Sequence, residues 1–89
     1  MPVVRFTRNL DRHVHCPDTE VSAGTVAEAL AAVFAVHPTL RSYVLDDQGA
    51  VRHHVVVFLD GQPIRDRQRQ GDLVGPDGTI DVLQALSGG

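Results

Sequence analysis

The 89 residues read as an α+β roll, a four- or five-stranded sheet with one main helix on one face. Three observations lead there. Only one stretch has a strong helical period. Runs rich in β-branched and apolar residues lie near the beginning, in the middle and near the end. Turn-forming residues separate them. At ~100–200 residues per domain this length holds one domain, and residues 1–86 are expected to form it, with Ser87, Gly88 and Gly89 as a flexible tail.

Residues 3–10 predict the first strand, with Val4, Phe6 and Leu10 on one face and Arg8 breaking the alternation. Residues 13–21 read as its hairpin partner, which Pro17 marks as an edge strand or a bulge. Thr25, Val26, Ala27 and Glu28 then form a capping-box sequence: the Thr25 hydroxyl accepts an orphan N–H, and Glu28 reaches back to the Thr25 amide. Val26, Leu30, Val33 and Phe34 follow at helical spacing. Pro38 disfavours helical geometry at His37, so the helix stops there. Residues 38–43 add a helical turn that places Leu40 and either Tyr43 or Val44 on the core. Asp46, Asp47, Gln48 and Gly49 signal a turn and a short hairpin.

Residues 55–59 are five consecutive apolar side chains, a strand with two apolar faces closed by an Asp60–Gly61 turn. Pro63 confines the short return strand at 62–64 to an edge. Residues 65–71 are strongly polar and read as a solvated loop, with Arg65, Arg67 and Arg69 as the alternative anion or partner contact. Gly75, Pro76, Asp77 and Gly78 make a turn, and residues 79–86 form the last strand.

Composition narrows the function. All eight basic residues are arginine, and eleven acids bring the formal charge to −3. That balance argues against a nucleic-acid binder held by phosphate contacts. A lone cysteine, Cys16, allows no internal disulfide and no four-cysteine metal site. Residues 1–12 lack the apolar core of a signal peptide, and the longest apolar run, residues 29–36, is far short of the ~20 residues of a membrane span. A cytoplasmic chain with no membrane partner is expected. One modest core leaves little room for a deep, preorganised substrate cleft, so a self-contained enzyme is not expected either.

Local chemistry is sparse. His13 and His15 share one strand face and with His53 or His54 could clip a metal, but two ligands at strand spacing fit a solvated face better. Cys16 between His15 and Pro17 lacks the shielded base that a nucleophile needs, so it reads as structural. No metal and no catalytic residue are expected.

The last strand runs through Leu86 into Ser87, Gly88 and Gly89 without a linker. That run completes a pattern with the first hairpin, the Thr25-capped helix, the strand and turn at 55–61, and residues 77–89. The whole resembles the ThiS/MoaD family of sulfur carriers, relatives of ubiquitin with a β-grasp fold and a mixed sheet. Only the 77–89 motif is specific. Residues 37–54 look nearer the longer MoaD-like members, and the arginine-rich loop departs from the pattern.

The resemblance implies a carrier rather than an enzyme. A ubiquitin-activating-type partner would use ATP to adenylate the Gly89 carboxylate, and a persulfide sulfur donor would convert it to a thiocarboxylate for an acceptor synthase in molybdopterin-type, thiamin-type or another pathway. Glycine suits the role, because without a Cβ the tail at Gly88 and Gly89 threads a narrow channel. The α-carboxyl, with a pKa of ~3.3–3.7, is ionised at neutral pH.

With the helix on one face, either Val55, Val57 and Leu59 or Val56 and Phe58 should lie on the open one. Phe58, Leu83 and Leu86 there are the candidate docking patch for the activating enzyme, extended by Ala85. Residues 38–52 folding over that face, or a second copy, would remove it. Two other functions compete: a ubiquitin-like modifier joined through Gly89 to target lysines, and a small protein-binding module. A chain without lysine cannot be ligated to itself through one, which suits a modifier; a genomic preference for arginine explains the same absence.

Overall fold

A computed structural model describes residues 1–6 and 18–84. Its strands are β1 (Val3–Phe6), β2 (Thr19–Glu20), β3 (Val55–Leu59), β4 (Gln62–Pro63) and β5 (Thr79–Gln84), and its helices are α1 (Val26–Val36) and α2 (Thr39–Val44). They form one sheet in the order β2-β1-β5-β3-β4. β1 and β5 run parallel, and the other three pairings are antiparallel. The sheet is therefore mixed, with β5 at its centre.

The first hairpin is present as Val3 opposite Glu20 and Val4 opposite Thr19. Leu10 and residues 13–17 of the expected second strand lie outside the described residues.

All four amides that open α1 find acceptors, as a helix end requires. Val26 N donates to Asp72 O at 3.0 Å, Ala27 N to Gln70 O at 2.8 Å and Ala29 N to Thr25 O at 3.0 Å. Glu28 N donates to the Thr25 hydroxyl at 3.2 Å, as the sequence predicts. The reciprocal bond differs: Glu28 Oε1 accepts from Gly24 N at 2.8 Å, not from the Thr25 amide. Thr25 is bridged to Leu73, and Gly24 O accepts from Val74 N, so the chain enters the helix pinned to residues 72–74. That entry brings the earlier amide to the carboxylate. At the other end His37 caps α1, its N–H donating to Val33 O, and α2 follows Pro38 directly.

The core lies between α1 and one face of the sheet. Val26, Ala29, Leu30, Val33 and Phe34 of α1 meet Val4, Val55, Val57, Ile80 and Val82 of the sheet. Burying each Val, Leu or Phe stabilises the fold by ~1.5–3 kcal/mol relative to exposure. Leu40, Val44, Leu45 and Val51 join the same cluster, while Tyr43 stays at the surface. Residues 38–52 thus contribute to the helical side, and Val44 rather than Tyr43 is the second inward residue of α2.

Two turns have the expected chemistry. Asp60 and Gly61 have φ of 51° and 85°, the left-handed pair that fits the twist of a two-residue hairpin. Asp60 Oδ1 also accepts from Thr79 N at 2.9 Å, tying the turn to the start of β5. In the 46–49 turn, Asp46 Oδ1 accepts from Gln48 N and Ala50 N, and Leu45 bridges Val51.

Residues 65–72 correct the sequence reading. This segment is a loop with Arg65, Gln68, Arg69 and Gly71 exposed, but Asp66, Arg67, Gln70 and Asp72 tie it into a hydrogen-bonded knot. Asp66 accepts from the amides of Gln68, Arg69 and Gly71, and Asp72 accepts from those of Arg65 and Asp66. Among the described residues Arg67 forms no ion pair. Its Nη2 donates to Arg52 O at 2.7 Å, Val55 O at 2.8 Å and Val51 O at 3.5 Å, fastening the knot to the entry of β3. Gln70, buried with φ of 54°, donates from Nε2 to Gly49 O and Arg67 O.

Candidate functional site

β3 and β5 settle which face is open. Val55 and Val57 are fully buried under α1, so Val56 and Phe58 point the other way. Val56 pairs with Leu83, and Phe58 pairs with Asp81. Phe58 and Leu83 are therefore diagonal neighbours, close enough for an aromatic ring to reach. Both line one shallow hollow of about 370 Å³ with Arg5, Phe6 and Asp81. The side chains of Val56, Phe58 and Leu83 are half-buried.

Sequence reasoning missed the charged rim of this hollow. Arg5 and Asp81 face one another across the parallel β1–β5 pair. Arg5 Nε lies 2.6 Å from Asp81 Oδ1, and Nη2 lies 3.0 Å from Oδ2, a two-bond fork. The hydrogen bond to Asp81 and then its charge raise the Arg5 guanidinium above its usual range. Because the pair is exposed, its role is to orient the two groups at the rim more than to stabilise the fold. The signal was present in the pattern: Arg5 lies between Val4 and Phe6, and Asp81 between Ile80 and Val82, each the polar member of an alternating strand.

The sheet thus unites two of the expected docking residues, Phe58 and Leu83. Leu86, Ser87, Gly88 and Gly89 lie outside the described residues, as do Ala85, His13, His15 and Cys16. β5 is described to Gln84, opposite Val55. His53 and His54 meet edge to face with ring centroids 5.6 Å apart. Among the described residues, no group of three or more His, Cys, Asp or Glu side chains is arranged to hold a metal. No helix among them is long and apolar enough to cross a membrane.

No protein-family model matches the sequence, and no curated protein does. Solved structures do. They define the architecture as the β-grasp, the ubiquitin fold. A chain of the BexX/CysO complex of Amycolatopsis orientalis superposes with a TM-score of 0.84 at 19% identity, over 100% of both chains. SAMP1 of Haloferax volcanii gives 0.78 at 23% identity, over 99% of this chain and 98% of that one. The small archaeal modifier protein 1 of Methanosarcina acetivorans gives 0.80 at 20% identity, over 99% and 95%. At these identities the likeness is one of fold.

Proposed function

We propose that the protein is a sulfur carrier whose reactive group is the Gly89 carboxylate. The observation that supports this best is the position of β5. It is the central strand, carries Leu83 beside Phe58 on the open face, and continues in sequence through Leu86 to Ser87, Gly88 and Gly89. A partner docked on that face would stand next to the segment it must modify.

In this reading the carboxylate attacks the α-phosphate of ATP on an adenylating enzyme and displaces pyrophosphate. A persulfide sulfur then displaces AMP, and reduction of the resulting acyl disulfide by a thiol leaves the thiocarboxylate for an acceptor synthase. The chain supplies a docking face and a substrate, while ATP and catalytic groups belong to its partners. A cytoplasmic setting suits such partners. One fold neighbour, CysO, occurs in a complex with a second protein, BexX, which supports a partner-docked role.

Intact mass of protein from its native host tests the proposal. One carboxyl oxygen replaced by sulfur supports it. Phe58→Asp, Leu83→Asp and Leu86→Asp should each abolish adenylation, with the fold verified by circular dichroism for each variant. Normal adenylation of all three would remove the docking face from the account.

A second reading draws on the neighbours named as modifier proteins. Here Gly89 is joined to target lysines, and the absence of lysine from this chain prevents self-ligation. Lysine-linked adducts in place of the sulfur-bearing species would favour it.

A further inference from the structure

The side of α1 that faces away from the sheet is as apolar as the side that packs against it. Of the eleven residues in α1 only Glu28 is polar. Ala31, Ala32, Ala35 and Val36 are exposed, Val36 by 70%. A surface helix ordinarily carries charged or polar residues there. Here Ala27, Ala31 and Ala35, one above the other along the helix, wall a hollow of about 320 Å³. Its floor is Leu30, Phe34 and Leu45, all buried in the core. That volume is at the lower end of the ~300–1,000 Å³ of ligand pockets and suits one large side chain.

Two polar residues complete the lining, and each has an unanswered group. Gln70 is only 4% exposed. Its N–H donates to Asp66 O, its carbonyl accepts from Ala27 N, and its Nε2 donates to Gly49 O at 3.2 Å and Arg67 O at 2.8 Å. Oε1 is the one polar atom of Gln70 without a partner among the described residues, and a buried acceptor calls for a donor. Arg41 is the only ionisable residue lining the hollow, and its exposed guanidinium has no hydrogen bond or ion pair among the described residues. No acid lines the hollow. Glu28 and Asp46, each next in sequence to a lining residue, are turned to backbone amides, Glu28 to Gly24 N and Asp46 to Gln48 N and Ala50 N.

We infer that this hollow docks a protein segment presenting an aromatic side chain with an N–H or O–H donor, flanked by carboxylates. The ring packs on Phe34 between the alanine wall and Leu45, its donor meets Gln70 Oε1, and a flanking carboxylate meets Arg41. α1 covers the sheet face opposite Phe58 and Leu83, so the site lies on the other side of the sheet from the open-face hollow. Both surfaces can be occupied together, and the inference does not depend on what happens at Gly89.

Titration of the full-length, nitrogen-15-labelled chain with a capped glutamate–tryptophan–glutamate peptide tests this. Saturable shifts are expected at Ala27, Ala31, Ala35, Leu45 and Gln70. Arg41→Glu and Ala31→Glu should each weaken binding by about fivefold or more, and Phe58→Asp should leave it unchanged. Arg41 and Ala31 are exposed, so both variants should keep the parent spectrum elsewhere. A peptide with phenylalanine in place of tryptophan, which lacks the donor, should bind about threefold or more weakly, as should one with lysines in place of the glutamates. Absence of saturable shifts, equal binding of either control peptide, undiminished binding by Ala31→Glu, or shifts centred on Val56, Phe58 and Leu83 would each overturn the inference. So would shifts that grow with protein concentration in the absence of peptide and vanish when Gly88 and Gly89 are deleted, since they would give the hollow to the C-terminus of a second copy.

Discussion

Replacing Arg67 with methionine keeps a flexible, apolar stem and removes the guanidinium that joins the 65–72 knot to the start of β3. Two of its bonds are short, 2.7 Å to Arg52 O and 2.8 Å to Val55 O, while the 3.5 Å bond to Val51 O is long and adds little. Hydrogen bonds from a charged donor contribute ~1.5–3 kcal/mol each, so the two together hold ~3–6 kcal/mol. Arg67 is only half-buried. Water therefore recovers part of what the carbonyls lose, and the lower end, ~3 kcal/mol, is expected. A domain of this length has a total stability of ~4–13 kcal/mol, so the loss is a large fraction of it. Urea unfolding at neutral pH, followed by far-ultraviolet circular dichroism, measures it. With an m of ~1 kcal/mol/M the midpoint should fall by ~3 M. Arg65→Met and Arg69→Met, at exposed positions in the same knot, should change stability by less than ~0.5 kcal/mol. If Arg67→Met behaves like these two controls, the knot does not depend on that guanidinium.

Other substitutions probe the turns and the carboxylates. Gly78→Ala would place a Cβ 2.6 Å from Val74 Cγ1 and 3.2 Å from Gly75 O, whereas one at Gly75 meets nothing within 4 Å. The first should cost ~1–3 kcal/mol, lowering the melting temperature by at least ~4 °C, and Gly75→Ala should leave it nearly unchanged. The amide of Arg69, above all, holds the Asp66 carboxyl below its usual pKa, against the opposing effect of its partial desolvation. A depressed carboxyl contributes stability that is complete above its unfolded pKa of ~3.9 and disappears as pH falls through the folded value. Asp66→Asn should therefore be less stable than the parent at pH ~6, with the gap closing below pH ~4; a gap constant down to pH ~2 would refute the assignment. The Asp46 carboxyl, lowered chiefly by the Ala50 and Gln48 amides, should give Asp46→Asn the same sign. Thr25→Ala removes the acceptor for Glu28 N and should cost ~1 kcal/mol by thermal unfolding.

Elements set by local chemistry were the legible ones. Thr25 and Glu28 mark the start of α1, Pro38 its end, and the Asp60–Gly61 pair forms the turn its residue types suggest. What depended on register was not. Residues 55–59 are apolar on both faces, and only the pairing of Val57 with Val82 and Phe58 with Asp81 decides which face meets α1. The 65–72 knot was misread for a different reason. Polar composition looks solvated whether its side chains face water or the backbone. A clue existed in Asp66, whose bonds to the amides two and three residues on are ordinary local aspartate geometry. Nothing local ties Arg67 to carbonyls 12 to 16 residues earlier. At the candidate site, hydrophobicity put Phe58 and Leu83 forward and strand pairing places both on the open face, while the Arg5–Asp81 fork needed knowledge that β1 and β5 are neighbours.

The central position of β5 also has a consequence for how the chain is made. On one side of it stand β2 and β1, on the other β3 and β4, and among the described residues no strand pairing joins the two halves except through β5. A ribosome that has delivered everything up to Gly78 has delivered two strand pairs and two helices, but not the strand that joins the pairs. Sheet assembly waits for residues 79–84, whose pairing with Val3–Phe6 spans 76 positions of sequence, the kind of long-range contact that slows folding. Nascent and truncated chains lacking β5 should therefore be unfolded, and a cut just before Thr79 should be far more damaging than its distance from the core suggests.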